Sequence, residues 1–352
     1  VCLILYLVQT VQAQTAILAY KFNETNTIAS STGSDATAVT LKNSAGDATD
    51  LHSADGLGVS GSAGDRSFDN TASSSMGGSG GRADQADLIA IDTLTSFTLE
   101  GWFKTAGATS LESNAMIFNN FSGANGFRLS GVGKDLKLEV DNGDASTSND
   151  NYRDTQTWVF FAVTYDGTLT LNNVKFYKGS ASSEVTLVAT QTIDKEQVNS
   201  DTGGLVIGNQ SNGNAAFDGY LDNVRVYGAQ SDNSGVLTLA QLDSIRADEV
   251  PPAVSSTSPA NGDIGVVVNT TITATFSEAM DVSTITTSTF TVSTGGSNIS
   301  GTVSYNSTTK TATFTPSSNL SLSTTYTATI TTGAKDAAGT AMASNYTWSF
   351  TT

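Results

Sequence analysis

Short apolar runs punctuated by turn pairs are the feature that most restricts what this chain can fold into. Phe97-Thr-Leu-Glu-Gly-Trp-Phe, Leu136-Lys-Leu-Glu-Val, Trp158-Val-Phe-Phe-Ala-Val-Thr-Tyr and Tyr220-Leu-Asp-Asn-Val-Arg-Val-Tyr alternate or run apolar over five to eight residues. Asn142-Gly143 and Asp166-Gly167 bracket such runs, and these dipeptides are hairpin signals. Successive strand side chains point to opposite faces, so segments this short bury an apolar face only by stacking sheets. The expectation is an all-β chain of sandwich or jelly-roll type. Trp102, Trp158, Phe160 and Phe176 fall where the alternation points inward and are predicted to be core. One stretch departs from the pattern: Leu237-Thr-Leu-Ala-Gln-Leu-Asp-Ser-Ile is apolar at 239, 242 and 245, which predicts a single short helix.

Composition narrows the function classes. Only 14% of the 352 residues are charged, against roughly 25% in an average soluble chain. Ser, Thr, Asn and Gly must supply the polar surface, a mix that favours strands and turns. The 33 acidic residues against 16 basic give a net charge of −17. That balance argues against nucleic-acid binding, which needs a basic footprint, and against docking on anionic lipid. Cys2 is the only cysteine and His52 the only histidine. No Cys/His zinc cluster and no disulfide within the chain can form, and a Ser-His-Asp triad would have to use His52. A metal site is therefore expected to be built from oxygens, which points to calcium. His52 itself lies in a Gly/Ser/Asp-rich stretch and reads as a solvated loop residue.

The chain divides into three parts. Residues 1–13 are an apolar run ending in Val11-Gln12-Ala13, and read as the remnant of a secretory signal peptide with its cleavage site. The run is too short to span a bilayer and no second one follows, so a secreted or cell-surface protein without membrane insertion is expected. Residues 14–250 carry a net charge of −15. Pro251-Pro252 marks a stiff connection. Residues 251–352 form the last part, and 44 of residues 253–352 are Ser or Thr.

Two resemblances follow from ordered series of motifs. Leu18-Ala-Tyr-Lys-Phe-Asn, Arg66-Ser-Phe-Asp, Phe97-Thr-Leu-Glu-Gly-Trp-Phe, Trp158-Val-Phe-Phe-Ala-Val-Thr-Tyr-Asp-Gly, Val174-Lys-Phe-Tyr-Lys-Gly and Phe217-Asp-Gly-Tyr-Leu-Asp-Asn-Val-Arg-Val-Tyr occur in that order. The series resembles the laminin-G-like, concanavalin A-like jelly roll of bacterial secreted proteins, over about residues 16–248. The resemblance implies a calcium ion on one sandwich edge, carried over to Asp218 and Asp222 with Glu24 and Asp69 as neighbours. Asp222 also stands out by itself, since it interrupts an apolar strand, and a buried carboxylate needs a cation or several N–H donors. Pairing with Arg225, or capping of a turn, is the other reading of that residue.

The second series is Pro251-Pro-Ala-Val-Ser-Ser-Thr-Ser-Pro259-Ala-Asn-Gly, Ile272-Thr-Ala-Thr-Phe-Ser-Glu-Ala-Met-Asp, Ala312-Thr-Phe-Thr-Pro316, Thr325-Tyr-Thr-Ala-Thr-Ile, Lys335-Asp-Ala-Ala-Gly339 and Trp348-Ser-Phe-Thr-Thr. It resembles the bacterial Ig-like domain first recognised in surface-layer proteins. The resemblance implies a seven-stranded β-sandwich acting as a spacer, with Tyr326 as a tyrosine corner.

Candidate chemistry is sparse. Glu139-Val-Asp141-Asn-Gly-Asp144 resembles the Glu-x-Asp-x-x-Glu strand of laminarinase-like glycosidases, which share the jelly-roll fold. Here the last acid is Asp, and Asn142-Gly143 predicts a turn before it. The loops around Asn119, Asn120, Asn149, Tyr152, Arg153, Asn209 and Asn212 are the ligand-facing candidates. Amides bond sugar hydroxyls, and an exposed Tyr152 would stack on a sugar face; Asn/Gly runs also occur wherever a sandwich turns. The expected function is non-catalytic binding of a polysaccharide or glycoprotein in adhesion or matrix attachment. The alternatives are a self-associating stalk, sheath or surface-layer component and, behind that, a glycoside hydrolase.

Overall fold

A computed structural model describes residues 14–61, 64–72, 79–86, 88–106, 111, 114–148, 151–152, 156–199 and 203–352. The expected signal segment, residues 1–13, lies outside the described residues. The chain forms two compact units that meet in sequence at Ala247 and Asp248.

The first unit carries β1 (Leu18–Tyr20), β2 (Ile28–Ala29), β3 (Val39–Lys42), β4 (Phe68–Asp69), β5 (Arg82–Asp84), β6 (Ser96–Thr105), β7 (Met116–Asn119) and β8 (Phe127–Val132). It continues with β9 (Asp135–Val140), β10 (Gly143–Ser146), β11 (Val159–Asp166), β12 (Val174–Ser180), β13 (Ser183–Gln191), β14 (Val206–Ile207) and β15 (Gly219–Ala229), then helix α1 (Leu239–Asp248). One antiparallel sheet runs β1-β15-β6-β11-β12-β13 with β4 also on β15, and the other runs β10-β9-β8-β7-β14-β5-β3-β2. The first and last strands pair, Leu18 opposite Val226, so the jelly roll is closed by its chain ends. Between the sheets lies an aromatic core in which Phe97 stacks on Phe127 and Tyr165 at 5.0 and 5.1 Å, and Phe103 meets Phe161 and Phe217 at 5.8 Å.

Alternation locates this core but does not tell which face of a strand is the outer one. On β6, Phe97, Leu99 and Phe103 enter the core between the sheets, whereas Thr98, Glu100 and Trp102 point the other way and are equally buried. Part of that face is covered by the segment after β15. Thr98 Oγ1 donates to the Gly235 carbonyl and accepts from the Leu237 N–H, Ser96 Oγ donates to the Asp232 carbonyl, and Asp243 accepts the Val185 N–H. The last stretch of the unit therefore lies across the back of this sheet. Of the predicted core aromatics, Phe176 belongs to the inter-sheet core, Trp102 and Phe160 pack edge-on at 5.4 Å on the back face, and Trp158 is half-buried.

Helix α1 forms where the spacing predicts it. Thr238 and Gln241 cap its start reciprocally: the Thr238 N–H donates to Gln241 Oε1 and the Gln241 N–H to Thr238 Oγ1. Leu242 is buried while Leu239 stays exposed.

The turn before Asp144 is one residue earlier than the dipeptide suggests. Val140 pairs with Gly143, and the two residues between them, Asp141 and Asn142, have φ of 47° and 64°. That is the positive-φ pair of a tight primed hairpin turn. At the second pair, Gly167 is required by close approach, since a Cβ there would lie 1.9 Å from the Glu196 carbonyl oxygen.

The second unit has β16 (Val254–Ser258), β17 (Ile272–Phe276), β18 (Phe290–Thr294), β19 (Ser297–Asn298), β20 (Gly301–Asn306), β21 (Thr311–Pro316), β22 (Thr325–Ile330) and β23 (Tyr346–Thr351). Two four-stranded sheets, β16-β17-β21-β20 and β19-β18-β22-β23, enclose Phe290, Phe314, Tyr326, Trp348 and Phe350. The expected sandwich thus has eight strands rather than seven, the extra one being the two-residue β19. Tyr326 makes the expected corner: its hydroxyl accepts the Ser321 N–H at 2.9 Å, five residues upstream.

Candidate functional site

The back of the β6-containing sheet is open at one end, and there two aromatic rings reach solvent. Tyr220 on β15 is paired in register with Lys104 on β6 and Asp69 on β4, so all three side chains share one face. Trp158 immediately precedes β11, whose Val159 is opposite Phe103, which brings it alongside this row. The Trp158 and Tyr220 ring centroids are 6.4 Å apart, and Lys104 Nζ lies 5.7 Å from the centre of the Tyr220 ring. All four side chains are half-buried. Asp69 is held by the Thr71 N–H and hydroxyl at 2.9 and 2.7 Å. Burial raises the Tyr220 hydroxyl above its ordinary range and Asp69 adds to the shift, against a hydrogen bond with Thr71, so the phenol stays a neutral donor and acceptor. Trp158 also walls an open groove of about 350 Å³ with Thr157, Lys178, Ser180, Ser183 and Glu184. Flat apolar faces ringed by hydroxyls, a lysine and carboxylates can hold the face of a pyranose while bonding its hydroxyls.

Sequence reasoning missed this platform because Trp158 reads as the first inward residue of a strand. Its place ahead of β11, next to the exposed Thr157, is set by the fold.

The predicted ligand loops are placed differently. Tyr152 is corrected outright: it is fully buried, its hydroxyl donates to the Tyr177 carbonyl at 2.8 Å, and no ring face is left for a sugar. Asn120 is buried and accepts the Phe127 N–H, and Asn209 is buried with its amide nitrogen on the Gly80 and Gly81 carbonyls. Both hold backbone rather than face ligand. Asn119 is buried on β7 opposite Arg128 and Val206. Asn212 is exposed and accepts the Asn214 N–H. Asn149 and Arg153 lie outside the described residues.

The four candidate calcium ligands do not assemble. Asp222 is fully buried and its two oxygens accept the Val59 and Asn223 N–H groups at 2.8 and 2.7 Å, while Arg225 pairs with Glu100 at 3.0 Å. Two backbone N–H donors meet this carboxylate. Asp69 serves Thr71 beside Tyr220, Asp218 is half-buried ahead of β15, and Glu24 lies in the loop after β1, where it accepts the Ser30 N–H. Among the described residues no group of three or more His, Cys, Asp or Glu side chains converges as a metal cage. These four carboxylates do not fit a shared calcium ion.

The glycosidase-like acids do not line one strand. Glu139 and Asp144 oppose each other across the β9–β10 hairpin. Glu139 is gripped by Arg128 and by Lys137 at 3.0 Å. Asp141 sits in the turn, with its oxygens on the Gly126 and Asn199 N–H groups. Burial would raise the Glu139 carboxyl, but the two cations outweigh it and hold it below its usual value. It is not poised to deliver a proton near neutral pH.

His52 is also corrected. Its side chain is 1% exposed, with Nδ1 2.7 Å from Asp50 Oδ1, not a solvated loop residue.

These features define a two-module all-β protein, a jelly roll with an aromatic surface platform joined to an Ig-like sandwich. Residues 77–233 match the concanavalin A-like lectin/glucanase superfamily, in its laminin G form, and residues 248–352 match the bacterial Ig-like domain. No curated protein matches the chain. Among solved structures, the N-terminal part of the bacterial S-layer protein SbsC is 25% identical over 34% of this chain and 29% of that one, with a TM-score of 0.25. The binding domain of Paraclostridial Mosquitocidal Protein 1 is 12% identical over 80% of this chain and 61% of that one, at 0.44. The receptor-binding domain of botulinum neurotoxin C/D mosaic serotype is 12% identical over 90% and 71%, also at 0.44. The chain spans less than a third of the length of the S-layer fragment. No described helix is long and apolar enough to cross a membrane.

Proposed function

We propose that the jelly roll is a non-catalytic carbohydrate-recognition module, displayed outside the cell with the Ig-like unit as its spacer, and that it serves adhesion to a polysaccharide or glycoprotein. The half-exposed Trp158–Tyr220 pair beside Lys104 and Asp69 carries this reading. Large rings are ordinarily buried, and two left at the surface as neighbours mark a contact surface. The match to the concanavalin A-like superfamily supports it. The ion-paired Glu139 and the hydrogen-bonded Asp141 favour binding over hydrolysis. A glycan array probed with the full chain, followed by calorimetry on any hit, tests the proposal. Saturable binding that Trp158→Ala removes supports it; an array without signal overturns it.

A second reading, self-association in a stalk or surface layer, is favoured by the apolar side chains that the Ig-like unit leaves in water, Ile264 at 83%, Leu322 at 79% and Val267 at 66% exposure. Size-exclusion chromatography over a concentration series separates the two, because recognition of glycans needs no assembly.

A further inference from the structure

We propose that Glu24 and His52 are two ligands of a site for a zinc-class divalent ion, set in the first unit where the loop after β1 meets residues 50–52. The histidine ring is oriented from behind. Its backbone N–H and its Nδ1 both lie on Asp50 Oδ1, at 3.0 and 2.7 Å. An Nδ1–H given to this carboxylate leaves the lone pair on Nε2. A carboxylate behind a histidine is the partner that metal-bound imidazoles commonly carry.

In front of the ring, Nε2 faces Glu24 Oε2 at 3.6 Å. Both atoms are buried and neither has a hydrogen-bond partner among the described residues. Glu24 is fixed there by its other oxygen, which accepts the Ser30 N–H at 2.8 Å. Two acceptors facing each other out of water repel unless a cation lies between them. The gap is too long for an N–H···O bond. Ligand atoms at about 2.0–2.1 Å from a zinc-class ion and this far apart subtend roughly 120° at it, close to tetrahedral geometry. An imidazole nitrogen selects zinc, copper or nickel over calcium, so this site is distinct from the oxygen-only one expected from composition. No third His, Cys, Asp or Glu among the described residues joins the pair. The remaining positions fall to water or to a donor from a bound partner, and the 30% exposure of the Glu24 side chain gives the ion a way in.

Zinc chloride titrated into the full chain, followed by calorimetry and by melting temperature, tests the site. One saturable zinc per chain is expected, with no heat from calcium at the same concentrations. His52→Gln should abolish the saturable phase, and Asp50→Asn should weaken it about 10–100-fold. Because His52→Gln could disturb the loop, Glu24→Gln is the second variant, and cobalt loaded in place of zinc should give a tetrahedral visible spectrum that this variant loses. Absence of saturable zinc binding, or equal affinity in wild type and both ligand variants, overturns the proposal. A melting temperature that never responds to zinc overturns it too.

Discussion

Arg128 holds both carboxylate oxygens of Glu139, through Nη2 at 2.8 Å and Nε at 2.6 Å. The two residues face each other across β8 and β9 on the outer side of the eight-stranded sheet. A carboxyl held low in the folded state favours folding above the ordinary carboxyl range, and that contribution is lost as pH falls through the depressed value. Glu139→Gln is therefore expected to lower stability at pH 7 by about 1 kcal/mol, a fall of about 2–4 °C in the first unit's melting temperature. The difference from wild type should shrink as the pH falls below the ordinary carboxyl range. A constant difference across the range would mean that packing, not charge, is lost.

The two tryptophans of the β6 sheet's back face should separate binding from folding. Trp158→Ala is expected to cost about tenfold or more in glycan affinity, about 1.4 kcal/mol, with little change in melting. Trp102→Ala empties a fully buried site against Phe160 and should cost about 3–5 kcal/mol of stability. Calorimetric titration and thermal scans of both variants check this pair; equal destabilisation by the two would remove the platform from the surface.

In the Ig-like unit, Tyr326→Phe deletes the hydroxyl that accepts the Ser321 N–H while keeping the ring on Phe350, 5.8 Å away. The expected loss is about 1 kcal/mol, about 4–8 °C for a unit of this size. Differential scanning calorimetry reads it as a shift of the second unit's transition alone.

Calcium at millimolar concentration is expected to leave the melting temperature of the first unit unchanged, since the Asp222 oxygens already accept two N–H groups. Binding to the native state alone would raise it. A rise of several degrees would show that backbone carbonyls build a cage which the carboxylates do not.

The strands were legible in the sequence because each needs only its own pleat. Ile272, Ala274 and Phe276 alternate inward as read, and so do Tyr326, Ala328 and Ile330. What alternation could not carry was which side of a strand is covered, since that depends on chain far away. Thr98 is covered by the sequence-distant segment around Gly235 and Leu237, Trp102 on the same face is fully buried against Phe160, and Trp158, in a run that reads the same, is half-buried. Tyr152 lies among Asn, Ser and Asp residues, and its polar neighbours conceal that the ring is swallowed by the core and tied to the carbonyl of Tyr177. His52 was misread for the same reason. Asp222 was rightly singled out as a carboxylate in an apolar strand, but the Val59 N–H that meets it comes from 163 positions away and leaves no local trace.

The covering of the β6 sheet's back by the segment that ends in α1 also dictates how the jelly roll can be excised. Residues 77–233, the span that matches the superfamily, omit β1 through β4 and stop short of Leu237 and α1. A fragment cut there would strip both β1 and β4 from β15, remove the segment that bonds Thr98 on the back face, and would aggregate for reasons unrelated to ligand. An autonomous recombinant version has to run from about Gln14 through Ala247, with its cap retained.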